Sequence, residues 1–309
     1  MSGSGKVERR GGLPSLFLLT GPFLLLWSVF WLVPICSGIS LAMEMSPHIS
    51  FAHFSDADGL TLKNFRLVLE DSKFLHSLKN TAFFAGGSVL ITLVLGFFLA
   101  VVVYGLHPKI RGVCLFLLLI PCFALPGTLA SVFYLFFHGK SGALNQFLVI
   151  PLGFDPVNWM MDPFWILPCL ILQSVWRWTG LIVLLLYCGM RAIPAWQFEV
   201  AYIEGASSWS RICTILYPGV RHLIIFGGVF LFIDGVAAFS GAYNLLGGSG
   251  GVLDAGLLFV TYVYQVAFPG GGGRFDLPLA SAMCVLVAGF SAIFGWMILK
   301  FGKQTGGVS

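Results

Sequence analysis

Two ionisable residues stand inside long apolar runs, Arg177 in S-V-W-R-W-T-G and Asp234 in F-L-F-I-D-G-V. A charge held in an apolar span costs about 2.5 kcal/mol or more at a bilayer centre, so such residues line polar paths, pair with each other, or snorkel to an interface. Arg177 between Trp176 and Trp178 fits a snorkelling guanidinium as well as a solute contact. Asp234 fits a group lining a path, hydrogen-bonded to a polar solute, or a structural partner for Arg177. Trp176, Phe239 and Tyr243 are aromatic candidates for the same path, able to offer flat apolar faces to a solute and equally able to serve as packing.

Reactive chemistry has no comparable cluster. The histidines fall at 48, 53, 76, 107, 138 and 222, and the cysteines at 36, 114, 122, 169, 188, 213 and 284, with no C-x-x-C pair. Neither a metal site nor a disulfide framework follows from that scatter, and no catalytic set is assigned. Gly139-Lys140-Ser141 resembles the end of a phosphate-binding loop, but Tyr134 occupies the place of its first glycine. No nucleotide or other cofactor site is expected in this chain.

The elements that would position these residues are membrane spans. Of the 309 residues 58% are hydrophobic and 10% charged, with 30 phenylalanines, and the mean hydropathy is +0.92. A soluble domain carries about 25% charged residues and could not bury this much apolar surface. The net charge of +4 is small and argues for no nucleic-acid partner. The fold class expected is all-α, a polytopic membrane protein with six transmembrane helices and the lipid bilayer as its surroundings.

The expected spans are Leu16 to Cys36, Asn80 to Leu106, Gly112 to Gly139, Pro163 to Met190, His222 to Tyr243 and Leu277 to Leu299. Pro22 and Pro34 lie near the ends of the first. The third carries L-I-P-C-F-A-L-P at Leu119 to Pro126, which reads as a kinked, path-facing helix. Glu44 to Lys79 and Lys140 to Asp162 read as external connectors, and Ala255 to Phe268 is too short to cross. With both termini cytoplasmic, the inner segments hold ten basic residues and the outer ones six, alongside nine acidic residues, as the positive-inside rule requires. The domain division is a cytoplasmic tail at 1–12, a membrane domain at 13–303 and a C-terminal tail at 304–309.

The longest polar interruption on the inner side runs from Arg191 to Arg221. Phe198, Ala201 and Tyr202 recur at helical spacing, with Glu199 on the more polar side. Gly205 suits a left-handed helix end, Ser207 or Ser208 a second helix start, and Pro218 the beginning of the next apolar run. Two short helices joined by a glycine elbow would lie at the membrane surface. Small residues at Ala201, Gly205 and Ala206 admit a partner's surface, and Glu199 and Glu204 can meet its basic groups or hold local helix ends.

E-V-A-Y-I-E-G-A at Glu199 to Ala206, followed by I-x-x-P at Ile215 to Pro218, resembles the EAA loop of ABC importer permeases. Val200 replaces the usual middle alanine, and Glu204 stands where the carbohydrate branch usually has aspartate. The resemblance covers about Leu60 to Lys300, including a segment at Leu246 to Phe268 similar to the family's external glycine-rich element. It implies a type I ABC importer transmembrane domain of the carbohydrate-uptake branch, first-partner type, in a bacterial cytoplasmic membrane. The implied coupling residues are Glu199, Ala201, Glu204, Gly205, Ala206 and Pro218. The implied partners are a second homologous permease, an ABC ATPase dimer that uses ATP and Mg, and an extracytoplasmic solute-binding protein. Apart from that resemblance, an ion-coupled transporter or channel without ATPase partners is the alternative, and it has only Arg177 and Asp234 to support it.

Overall fold

The computed structural model describes residues 13–43, 61–268 and 275–304, and every described element is helical. The expected N-terminal tail at 1–12, the expected C-terminal tail at 304–309 past Gln304, residues 44–60 of the connector expected at Glu44 to Lys79, and residues 269–274 lie outside the described residues. The helices are α1 (13–42), α2 (Lys63–Glu70), α3 (Ser72–Gly105), α4 (Pro108–Phe123), α5 (Pro126–Phe136) and α6 (Pro163–Arg191). They continue with α7 (Ala195–Ile203), α8 (Ser208–Val236), α9 (Ser240–Leu245), α10 (Phe259–Ala267) and α11 (Leu277–Gln304). Five of these, α1, α3, α6, α8 and α11, are single helices long and apolar enough to cross a membrane; α4 and α5 together make a sixth crossing if the bent pair is one span.

That pair departs from the sequence expectation of one kinked helix. α4 and α5 meet at 102°. Ala124 and Leu125 are both extended, because Pro126 disfavours helical backbone at the residue before it, and Pro121 has no N–H to carry the ladder onward. The fifth span also moves: it begins at Ser208 rather than His222 and stops at Val236, with Tyr243 in the separate α9.

Wide turns recur before three of the prolines, whereas Pro22, Pro121 and Pro168 sit inside helices without one. Three five-residue wide turns, at Ser28–Leu32, Asn145–Val149 and Ile212–Leu216, each end one residue before an X-Pro pair. Val33, Ile150 and Tyr217 donate to the carbonyl five residues back, and Pro34, Pro151 and Pro218 follow. A proline cannot donate and crowds the carbonyl four residues back, so widening the preceding turn relieves the clash; the helix continues past Pro34 and Pro218 and ends before Pro151. Pro34 and Pro218 are therefore interior to long helices, not at their ends as their positions in the sequence suggest.

α6 is the hub. It packs along α3, α4 and α8 and buries Ile166, Ile182, Val183, Leu186 and Met190. Small residues allow these approaches: a Cβ on Gly180 would collide with the Leu118 backbone carbonyl of α4, and one on Gly96 or Gly227 would press on Ile182. Where one helix is hydrophobic all round it is either buried or facing lipid, and the exposed apolar side chains of α1, α3 and α4 are of the second kind.

α3 is 34 residues long, about 50 Å, and exceeds the ~30 Å hydrocarbon layer. Its polar first turns, with Lys73, His76 and Lys79, make up the excess. Asp71 caps it by accepting from the Lys73 and Phe74 N–H groups, and Tyr262 of α10 donates to the other Asp71 oxygen at 2.5 Å. Asn80 donates to the Asp254 and Leu257 carbonyls, Thr81 accepts from the Phe259 N–H, and Lys73 pairs with Asp254 at 3.0 Å. These bonds hold the 246–268 segment against this end. Asn145 organises the connector between α5 and α6, expected to be external, accepting from Trp159 Nε1 at 3.0 Å and from the Val157 N–H.

Candidate functional site

At the opposite end of α3, a polar elbow projects from the bundle. Phe198 of α7 stacks on Tyr104 of α3 with ring centroids 6.1 Å apart, which seats the elbow. Beside it Arg111 donates to the last carbonyls of the α3 end, Tyr104 and Leu106, and to the Tyr187 hydroxyl of α6. These groups tie together the ends of α3, α4 and α6 that face the elbow.

The elbow is a helix end closed by a left-handed residue. Gly205 has φ +73°, and the Ala206 N–H returns to the Ala201 carbonyl at 2.9 Å while Gly205 donates to Tyr202. Ser207 then caps the next helix, accepting from the Ser210 N–H. That second helix is not a separate short one: it runs through the wide turn at Ile212–Leu216 into α8, so the elbow is joined directly to a span.

Ala201 is buried against the bundle, whereas Tyr202, Ile203 and Trp209 are 76%, 83% and 62% exposed. Glu199 and Glu204 are exposed and make no hydrogen bond or ion pair among the described residues, so neither holds a helix end. Pro218 is exposed behind the wide turn. An apolar tip ringed by free carboxylates is suited to docking and offers nothing for bond chemistry.

The second feature is a cavity of about 260 Å³ beside the break between α4 and α5. Pro126 and Leu129 of α5, Gln173, Ser174, Arg177 and Trp178 of α6, Asp234 of α8 and the chain from Ala237 to Ala242 line it. Trp178 Nε1 donates to Asp234 Oδ2 at 2.7 Å, and the Arg177 guanidinium lies 4.7 Å from the Trp178 ring. Arg177 and Asp234 are thus brought together, but they form no direct ion pair; the indole stands as Asp234's partner instead.

Among the aromatic candidates, Phe239 lines the cavity. Tyr243 packs behind it, 4.9 Å from Phe239 and 5.3 Å from Tyr264. Trp176 points away, half-exposed and edge-on to Phe133. Gln173 and Ser240 were not singled out in the sequence. Gln173 stands four residues before Arg177 and therefore on its face, a signal that was present; Ser240 is brought in by the break at 237–239, which was not legible.

Both features belong to a helical membrane transport domain: a bundle of spans with a polar cavity between them and an exposed elbow at one end. The comparisons narrow this. Residues 92–304 match the family model described as "Binding-protein-dependent transport system inner membrane component", which is more than half of the chain. The chain belongs to that family and is a multi-pass inner-membrane permease, not an enzyme.

Similar proteins include the lactose transport system permease protein of Rhizobium radiobacter, 27% identical over 82% of this chain and 83% of the relative. The trehalose/maltose transport system permease protein of Thermococcus litoralis is 26% identical over 93% of each. The fold is shared with a bacterial ABC transporter involved in the import of the acidic polysaccharide alginate, at a TM-score of 0.79 and 20% identity, over 94% of this chain and 95% of that one. Membership of a binding-protein-dependent family sets aside the ion-coupled alternative.

Proposed function

We propose that this chain is one transmembrane subunit of an ATP-driven importer, passing a sugar or sugar-like polyol received from an extracytoplasmic binding protein. A second homologous permease completes the passage, and an ABC ATPase dimer binds and hydrolyses ATP with Mg. Both termini and the 191–221 stretch face the cytoplasm, and Glu199, Ala201, Glu204, Gly205, Ala206 and Pro218 form the contact with the ATPase. The observation that carries this reading is the elbow itself, an exposed apolar tip with unpaired carboxylates, continuous with a span and held on the bundle by Phe198 and Arg111. The sugar assignment is supported by the similar proteins, which are permeases of lactose and of trehalose/maltose transport systems.

In this mechanism, closure of the ATPase dimer displaces the Gly205 elbow, and α8, which is continuous with it, carries the displacement to Asp234 and the cavity wall. A lever of this kind needs a rigid connection, and an unbroken helix supplies one. The cavity then opens to alternate sides, and Arg177, Asp234 and Phe239 stand on the solute's route, with Tyr243 packed behind Phe239; Trp176, turned away from the cavity, is no part of it.

The test is reconstitution of the chain with its partners in proteoliposomes, with a single cysteine at Ala206 in a background lacking the native cysteines. Uptake that needs ATP and binding protein together, and a crosslink from Ala206 to the ATPase, are the expected results. Uptake by the permease without either partner, or an Ala206 label accessible only from outside, would overturn the assignment.

A further inference from the structure

The cavity holds polar groups that the protein leaves without partners. Gln173 is only 6% exposed, yet its amide makes no hydrogen bond among the described residues. Arg177 Nε is buried and also without a partner. Asp234 accepts from Trp178 at Oδ2 and makes no other hydrogen bond among the described residues, and neither the half-buried Ser174 hydroxyl nor the exposed Ser240 hydroxyl makes one.

Leaving a buried polar group unpaired is costly, and so is holding opposite charges apart in a low-dielectric setting. An ion pair between Arg177 and Asp234 would relieve both costs, and it is absent even though the two line one cavity. What satisfies the set is a molecule with several groups that each donate and accept. Hydroxyls do both: one hydroxyl can donate to Asp234 Oδ1 while accepting from the Arg177 guanidinium, and its neighbours can meet the Gln173 amide and the serines. Phe239 and the Trp178 ring add apolar faces for the carbon skeleton.

Charge decides the class further. Arg177 and Asp234 are the two charged side chains that line the cavity and, both ionised, they cancel, so an uncharged solute leaves the site neutral. An anion would leave a net negative charge facing Asp234, and a cation a net positive one facing Arg177.

We infer that Arg177 and Asp234 act as a split charge pair that holds an uncharged, hydroxyl-rich solute between them and discriminates against its carboxylated counterpart. The inference rests on the permease reading above and adds the two specificity residues and the charge of the solute.

The experiment uses the assembled complex in lipid nanodiscs without its binding protein, whose own selectivity would mask the cavity's. Saturation-transfer NMR reads binding of four probes, glucose, lactose, sorbitol and glucuronate, to the wild type and to the Asp234→Asn, Arg177→Gln and Trp176→Ala variants. The expected result is binding of at least one neutral probe, with glucuronate weaker than glucose. Asp234→Asn and Arg177→Gln each weaken the neutral probe by about ten-fold or more, the loss for a hydrogen bond to a charged group. Asp234→Asn narrows the gap between glucose and glucuronate, a shift that a merely structural role for Asp234 would not produce. Trp176→Ala, outside the cavity, leaves binding unchanged.

Stronger binding of glucuronate than of glucose by the wild type overturns the inference, as does equal loss of all probes in the Asp234 variant, or no binding of any probe. The permease reading stands or falls separately, on uptake that requires ATP and the binding protein.

Discussion

Gly205 shows how much a single backbone angle carries. Its φ of +73° lies where a side chain is strained, and no atom stands within 4 Å of a Cβ placed there, so crowding plays no part. Gly205→Val is expected to cost about 1–2 kcal/mol at the elbow alone, the penalty of left-handed backbone in a residue with a Cβ. The elbow then rearranges: ATPase capture and ATP-driven uptake fall, while membrane insertion and the melting temperature of the spans hold. Normal capture by this variant would remove the elbow from the coupling role. Asn145 is a structural counterpart far from it. Asn145→Leu strands the Trp159 indole N–H and the Val157 N–H, a loss of about 1–3 kcal/mol. A lower melting temperature with elbow crosslinking unchanged is the expected reading.

Between residues and the whole molecule, the elements depend on how prolines and glycines are placed. The wide turn before Pro218 inserts one extra residue into α8 between the elbow and the rest of the span. Each residue turns a helix by about 100°, so collapse of that turn would rotate the elbow by about that angle relative to the rest of α8. Pro218→Ala restores the N–H and removes the clash that the wide turn relieves, and it is expected to reduce coupling of ATP hydrolysis to uptake. Assay of both rates on the same proteoliposomes checks this; an unchanged ratio counts against it. Gly180 controls the approach of α4 to α6. Gly180→Leu forces the Leu118 backbone outward, an overpacking cost of about 1–3 kcal/mol that thermal melting in detergent would report.

At the scale of the molecule, α3 joins two functional ends. Its first turns hold the 246–268 segment through Asp71, Lys73, Asn80 and Thr81, and its last turn carries the elbow through Tyr104. The two ends lie about 50 Å apart along one helix, on opposite sides of a ~30 Å hydrocarbon layer. A membrane-impermeant maleimide applied to intact cells is expected to label a cysteine at Leu253, which is 82% exposed, and to leave one at Ala206 unlabelled until the cells are opened. The reverse pattern would invert the orientation derived from the basic residues.

What the sequence by itself determined is what depends on local composition and spacing. Apolar runs of membrane length set the class, the fourth and sixth spans nearly to the residue, and the short 255–268 stretch as no span. The elbow was legible at Gly205 and Ser207, because left-handed glycine and the serine cap act within one turn of the chain. Tertiary structure decided what depends on neighbours. The break at Ala124 and Leu125 replaced a kink because α5 packs on α9 rather than continuing along α6. The fifth span moved because a wide turn lets Pro218 remain inside a helix, where the sequence alone reads a boundary. Arg177 and Asp234 were visible as charges in apolar runs, but only the packing of α6 against α8 shows Trp178 taking the place at Asp234 that an ion pair would have filled.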